Sequence, residues 1–357
     1  MTAATDSFAG QVVAWQATHG RSGLPWQGTR DPYRVWLSEI MLQQTQVSTV
    51  LAYFPRFLER FPDVASLAAA PQDDVLALWS GLGYYSRARN LHRCAQEVMQ
   101  AHAAAFPRDA QTLQTLPGIG RSTAAAIASF CFGERAAILD GNVKRVLTRV
   151  LGFADDLSVA ANEKRLWALA EGMLPQASAD MPRYTQGLMD LGATVCLARR
   201  PSCLVCPVRE GCVAQAQGQP ERFPVKTRKL KRTAQSLWLL QASQPDGAVW
   251  LEKRPDSGVW AGLYCLPVFD SFDALREVAS PGLTLEEREP FTHVLTHKDL
   301  HLHPVAVTAQ LTAPLLAAAR DGSDMGVAEP APAGWFTADS WPKLGLPAPI
   351  RKLLEIG

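Results

Sequence analysis

The sequence predicts two architectures in one chain: a mainly helical first half and a smaller second half of mixed α and β structure. Three observations carry this expectation. The chain has 357 residues, too many for one ordinary core. Hydrophobic residues make up 47% of it, too many for a disordered chain. The hydrophobic period also changes partway along, from three-and-four spacing to short alternating runs.

In the first half, Pro32 to Phe61 repeats its apolar positions at helical spacing, with Val35, Ile40, Leu42, Val47, Val50, Leu51 and Phe54. Ala-rich segments at 64–80, 94–105, 122–131 and 161–174 continue the pattern. Pro71, Gly81, Pro107, Pro117, Gly118 and Gly152 punctuate it. A helical domain is therefore expected over 1–216. Residues 217–233 hold Pro220, Pro224 and the basic run Lys226–Arg232. They are expected to form a linker that either follows a phosphate backbone or is simply solvated. In 234–357, strands are expected at Ser236–Ala242, Ala248–Lys253, Leu263–Phe269 and His301–Leu311. Short helices are expected at 272–279 and 348–356.

Charge divides along the same line. Residues 1–232 carry 26 Lys and Arg against 19 Asp and Glu, whereas residues 233–357 carry 9 against 15. A basic half suits a polyanionic partner, although such a balance is also met in proteins that bind none. There is no run of 18 apolar residues, and MTAATDSFAG lacks the basic start and apolar stretch of a secretory signal. A soluble cytoplasmic chain with no membrane contact is expected. Seven cysteines are then more consistent with thiols or metal ligands than with disulfides.

Four of those cysteines, Cys196, Cys203, Cys206 and Cys212, lie within seventeen residues that also hold Pro201 and Pro207. Their uneven spacing suits the four corners of a [4Fe–4S] cluster; structural zinc more often uses two C-x2-C knuckles, and only one is present. Cys94, Cys131 and Cys265 stand alone in apolar settings as packing residues.

Leu116-Pro-Gly-Ile-Gly-Arg-Ser-Thr123 is a glycine-rich turn opening a helix. Gly118 and Gly120 are free to take positive φ and offer N–H groups to a phosphate; such turns also serve packing alone. Glu39 lies in an apolar helical stretch, where Trp36 and Gln43 share its face. Desolvation there would keep it protonated; an exposed Glu on the polar face has the same spacing. Asp140 directly precedes another helix and suits a cap, a position that also favours the anion. One protonatable acid and one held anion are what glycosidic cleavage requires.

Together the Gly-Ile-Gly hairpin, the downstream Asp140 and the four-cysteine loop resemble the helix-hairpin-helix DNA glycosylases with an iron–sulfur cluster. Within that group, Trp26, Asp31–Thr45 and Gly81–Asn90 are similar to the adenine DNA glycosylase (MutY) family. The resemblance implies a monomeric base-excision enzyme that removes adenine paired with 8-oxoguanine or guanine in double-stranded DNA. It implies Glu39 as the acid at adenine N7, Asp140 facing the oxocarbenium at C1′, and Asn142 supporting it. Trp26, Leu42 and Gln186 match the pocket for the extruded base, and Ser122 stands where related lyases carry a Schiff-base Lys. Gln44 and Thr45 match residues that contact 8-oxoguanine, with Leu82 and Tyr84 as a wedge beside it. The second half resembles the Nudix-like domain of the same family. Where that fold's phosphohydrolases carry a glutamate-rich helix, Asp270–Ala279 has Glu277 but no Glu-Glu pair for Mg²⁺, so a recognition module without hydrolase activity is expected. Leu295-Thr296-His297 stands where the family has Phe-Ser-His, and Thr296 keeps the hydroxyl.

Overall fold

The computed structural model describes residues 7–228, 231–278, 284–308 and 332–356. By internal contact the chain falls into two units, one of residues up to 69 with 90 into the linker, the other of 70–89 with the C-terminal half.

The first unit is helical. Helix α1 spans Phe8–His19, α2 Pro32–Leu42 and α3 Val47–Arg60. Asp31 caps α2 by accepting from the Tyr33 N–H at 3.0 Å, and Pro32 fills the first helical position, where no N–H is needed. The helical spacing read over 32–61 is carried by two helices, with a break at 43–46. Gln44 takes φ +55° there, which ends α2 although the apolar period runs on.

Helix α4 (Val64–Ala69) precedes α5 (Gln72–Leu78), with Pro71 between them, and α6 spans Ser86–Ala101. The hairpin joins α7 (Ala110–Leu113) to α8 (Arg121–Ile127). Gly118 takes φ +76°, and a Cβ there would meet Asn90 Cβ at 2.7 Å. Gly120 instead caps α8 at φ −82°, so the expectation of positive φ holds for only one of the two glycines. A π-turn at Ala128–Phe132 follows α8 in place of further α-helix.

Helix α9 (Gly141–Leu151) ends at Gly152 in the left-handed region, where a Cβ would meet Val213 at 2.4 Å. Helices α10 (Ala160–Gly172), α11 (Met181–Thr194) and α12 (Val213–Ala216) complete the unit. Val143, Val146 and Leu147 of α9 bury in one core with Tyr184, Leu188 and Leu191 of α11. Each fully buried aliphatic contributes about 1.5–3 kcal/mol, so the α9–α11 pair is a firm platform.

Among the described residues, the second unit is built on an eight-stranded sheet. Strand β1 is Thr233–Ser243, β2 Val249–Lys253, β3 Tyr264–Cys265, β4 Val268–Phe269, β5 Glu286–Glu287, β6 Phe291–Val294, β7 Lys298–Thr308 and β8 Ala333–Phe336. The two long strands β1 and β7 run parallel, from Thr233 opposite Lys298 to Ser243 opposite Thr308. Alternation sends Leu237, Leu239, Leu300 and Leu302 to one face and Leu240, Ala242, Val305 and Val307 to the other. Each face buries a core. Leu275 of α13 (Phe272–Val278) packs on the second and Ile350 of α14 (Ala348–Ile356) on the first. The expected strand at Leu263–Phe269 is split into β3 and β4 around Leu266-Pro267, because Pro has no N–H for the ladder. Residues 309–311 of the last expected strand and 279 of the expected helix lie outside the described residues.

Segment 70–89 belongs to this second unit. Tyr85 Oη donates to the Leu346 carbonyl at 2.8 Å, and Arg89 Nη1 to the Ala261 carbonyl at 2.6 Å. Gly345 sits so close that a Cβ on it would lie 2.9 Å from Leu76.

Candidate active site

In the helical unit an open cavity of about 1430 Å³ is walled by α2, the 43–46 break, α8, the start of α9, and α11. Trp26, Glu39, Leu42, Gln44, Thr45, Ser122, Asp140, Asn142 and Gln186 all line it. Residues separated by up to 160 positions thus meet on one surface. Leu82, Tyr84, Gly118, Gly120, Thr296 and His297 do not line it.

Glu39 shares the cavity wall with Val35, Ser38 and Leu42 of its helix. Gln43 also faces the cavity, as its expected face requires, but Trp36 does not: it is fully buried against Tyr33 and Phe106. By area Glu39 is half-buried, because its carboxyl forms part of the wall, yet it lies deep. Desolvation first, and the nearby charge of Asp140 second, push its carboxyl up to about 8. It therefore holds its proton at neutral pH.

Asp140 caps α9, its Oδ1 accepting from the Val143 N–H at 2.7 Å. Asn142 is fixed by Arg145, whose Nη2 donates to Asn142 Oδ1 at 2.8 Å and to the Gly192 carbonyl at 2.6 Å. Ser122 Oγ accepts from the Leu139 N–H at 3.0 Å, beside Asp140.

Gln186 is oriented by a residue that sequence reasoning missed. Asp190 is fully buried and accepts from Gln186 Nε2 at 2.8 Å, from Arg21 Nε at 2.7 Å and from the Arg21 N–H at 3.0 Å. A carboxylate accepts only, so the Gln186 amide must turn its nitrogen to Asp190 and leave Oε1 as the acceptor. Asp190 lies four residues after Gln186 on α11, a helical spacing that could have signalled the pair; Arg21 carries no local signal.

The four loop cysteines line one small cavity of about 20 Å³ with Val146, Leu191, Val195 and Val208. All four are half-buried, and burial pushes the Cys206 thiol up to about 11. Arg149 of α9, itself buried, points Nη1 at Cys196 Sγ (3.3 Å) and donates to the Leu197 and Ala198 carbonyls. Four thiols converging on one pocket beside a fixed cation fit a multi-thiolate centre.

In the sheet unit, Tyr84 Oη and Thr296 Oγ1 are hydrogen-bonded at 2.7 Å. Tyr84 is 43% exposed, whereas Leu82 is 5% exposed, so of the expected wedge pair only Tyr84 is presented. The linker does not run free: Thr227 bonds to Asp156, and Arg232 donates to the Leu295 and Thr296 carbonyls and pairs with Asp299. Arg232 is thus committed to the turn that carries Thr296, within a run for which the sequence leaves both phosphate contact and simple solvation open. Residues 229–230 of that run lie outside the described residues.

Residues 37–172 match the family model of the HhH-GPD superfamily of base excision DNA repair proteins, and residues 238–356 match a NUDIX domain. The fold resembles a thermostable thymine-DNA glycosylase at 27% identity and a TM-score of 0.52, over 59% of this chain and 95% of that one. The helical unit is therefore a base-excision glycosylase fold, joined to a Nudix-type domain. Among curated relatives, the adenine DNA glycosylase of Buchnera aphidicola subsp. Acyrthosiphon pisum is 35% identical over 98% of this chain and 97% of its own length. The human adenine DNA glycosylase is 41% identical over 61% of this chain and 41% of its own length. The chain belongs to the adenine DNA glycosylase family.

Proposed function

We propose that this chain removes adenine mispaired with 8-oxoguanine or guanine in double-stranded DNA, by acid-assisted hydrolysis of the N-glycosidic bond. The observation that carries the reading is Glu39, a carboxyl protonated at neutral pH on the wall of a cavity that also holds Asp140. The bond is inaccessible inside the stack, so the adenine must be extruded into that cavity. Trp26 and Leu42 supply apolar wall, and Gln186 Oε1 suits the exocyclic amine of adenine, a donor. Glu39 gives its proton to N7, so adenine leaves neutral rather than as an anion. Asp140 then faces the positive charge developing at C1′, with Asn142 and the water beside it. Ser122 has no amine to form a Schiff base, which favours a monofunctional enzyme over a lyase.

Gln44 and Thr45 at the helix break are assigned to the base opposite adenine; within the sheet unit, Tyr84 and Thr296 are read by themselves as the residues that address that base. The sheet unit is read as a recognition module rather than a phosphohydrolase. Cys196, Cys203, Cys206 and Cys212 would hold a [4Fe–4S] cluster, which ties the loop together and transfers no electrons in the reaction. The enzyme is read as a cytoplasmic monomer. Incubation with a duplex bearing one adenine opposite 8-oxoguanine, then alkali, should give a single strand break at the adenine. An uncut duplex would end this reading. Anaerobically purified protein should carry about four irons per chain; zinc without iron would overturn the cluster assignment.

A further inference from the structure

The turn Gly81–Tyr84 is conformationally costly. Gly81 takes φ +101° and Gly83 +70°, and Tyr84, which has a Cβ, takes +49°. A non-glycine residue there costs about 1 kcal/mol and persists only where its surroundings hold it. The surroundings centre on Arg87, 8% exposed, one helical turn on. Its Nη2 donates to the Leu82 carbonyl at 3.0 Å and to the Gly83 carbonyl at 3.1 Å. The Gly83 carbonyl also accepts from Trp79 Nε1 at 3.1 Å. The guanidinium lies over the Trp79 ring, 5.3 Å from its centroid, and over the Tyr84 ring at 5.5 Å. One planar cation therefore fixes two successive carbonyls and one aromatic face of the turn.

We propose that Arg87 is a positioning residue that presets the 81–84 turn, so that Tyr84 meets Thr296 before DNA arrives. The opposite side of that pair is already held by Arg232. The inference rests on the reading that Tyr84 and Thr296 address the base opposite adenine, and it names what makes that contact rigid. One guanidinium nitrogen spans both carbonyls while the planar group covers the Trp79 and Tyr84 rings; the shorter Lys side chain has no planar face to make that stack.

The test uses the full chain with Arg87→Lys, which keeps the charge, Tyr84→Phe, which removes only the hydroxyl, and the double variant. Hydrogen exchange across residues 79–89 of the free protein should rise in Arg87→Lys while peptides of α9 and α11 stay protected. In single turnovers, the preference for 8-oxoguanine over guanine opposite adenine should fall about tenfold, the scale of a small misplacement in a preorganised site. Adding Arg87→Lys to Tyr84→Phe should then remove little further preference, because both act through one contact. Unchanged exchange across 79–89 overturns the proposal, as do equal rate losses on both duplexes or additive losses in the double variant. Raised local exchange with intact preference in all three proteins supports the brace and overturns instead the recognition role given to Tyr84.

Discussion

In the proposed mechanism Glu39 and Asp140 divide the chemistry between two side chains, and pH tests the part given to Glu39. With the Glu39 carboxyl near 8, single-turnover excision should hold through neutral pH and decline as pH rises through about 8. A flat rate across pH 7–9.5 would remove Glu39 from its role as acid. Glu39→Gln should bind the mispair but lose roughly 100- to 10,000-fold in excision rate, since an amide has no proton to give. Helical spacing marked Glu39 for desolvation because its neighbours are apolar; it erred over Trp36, whose indole turns away into the core with Phe106. Two helical positions can share a face and still diverge once a neighbouring helix claims one of them.

At the level of elements, α9 is capped by Asp140, the proposed catalytic carboxylate, and reaches the cysteine loop through Arg145 and Arg149. Asp140→Asn should keep the cap, and melting within about 1–2 °C of the wild type, yet lose excision, because asparagine caps as well as aspartate but carries no charge. Asp140→Ala should lose excision and about 1 kcal/mol of stability in addition. Rate and thermal melt together check both. The cap was legible from Asp140-Gly-Asn preceding an apolar repeat. The 43–46 break was not, because the apolar period passes through it and only the φ of Gln44 marks it. The two-residue strand β5 and four-residue strands β6 and β8 were also illegible, being too short to set up an alternation.

For the molecule as a whole, burying Glu39, the proposed acid, weakens the fold. An unfolded chain releases the Glu39 proton from about pH 4.5 upward, whereas the folded one keeps it to about 8. The folded state binds more protons in that window, so stability falls as pH rises across it. Glu39→Gln removes the penalty and should raise the melting temperature by about 2–5 °C at pH 8, with the gain shrinking toward pH 5. A gain independent of pH would contradict the linkage. Removing residues 233–357 should leave adenine excision measurable but erode the preference for 8-oxoguanine, with parallel assays on both duplexes as the check. The two-part architecture was readable from the change of period at about residue 233, but the allegiance of 70–89 was not, because its seats at Leu346 and Ala261 are more than 170 residues away. That allegiance has a consequence for a severed molecule. A protease that nicks the linker would part the chain into two polypeptides, yet the N-terminal fragment keeps Tyr85 and Arg89, which bond into the C-terminal one. The fragments should co-elute as one particle and dissociate only in denaturant, as the two pieces of a complemented protein do.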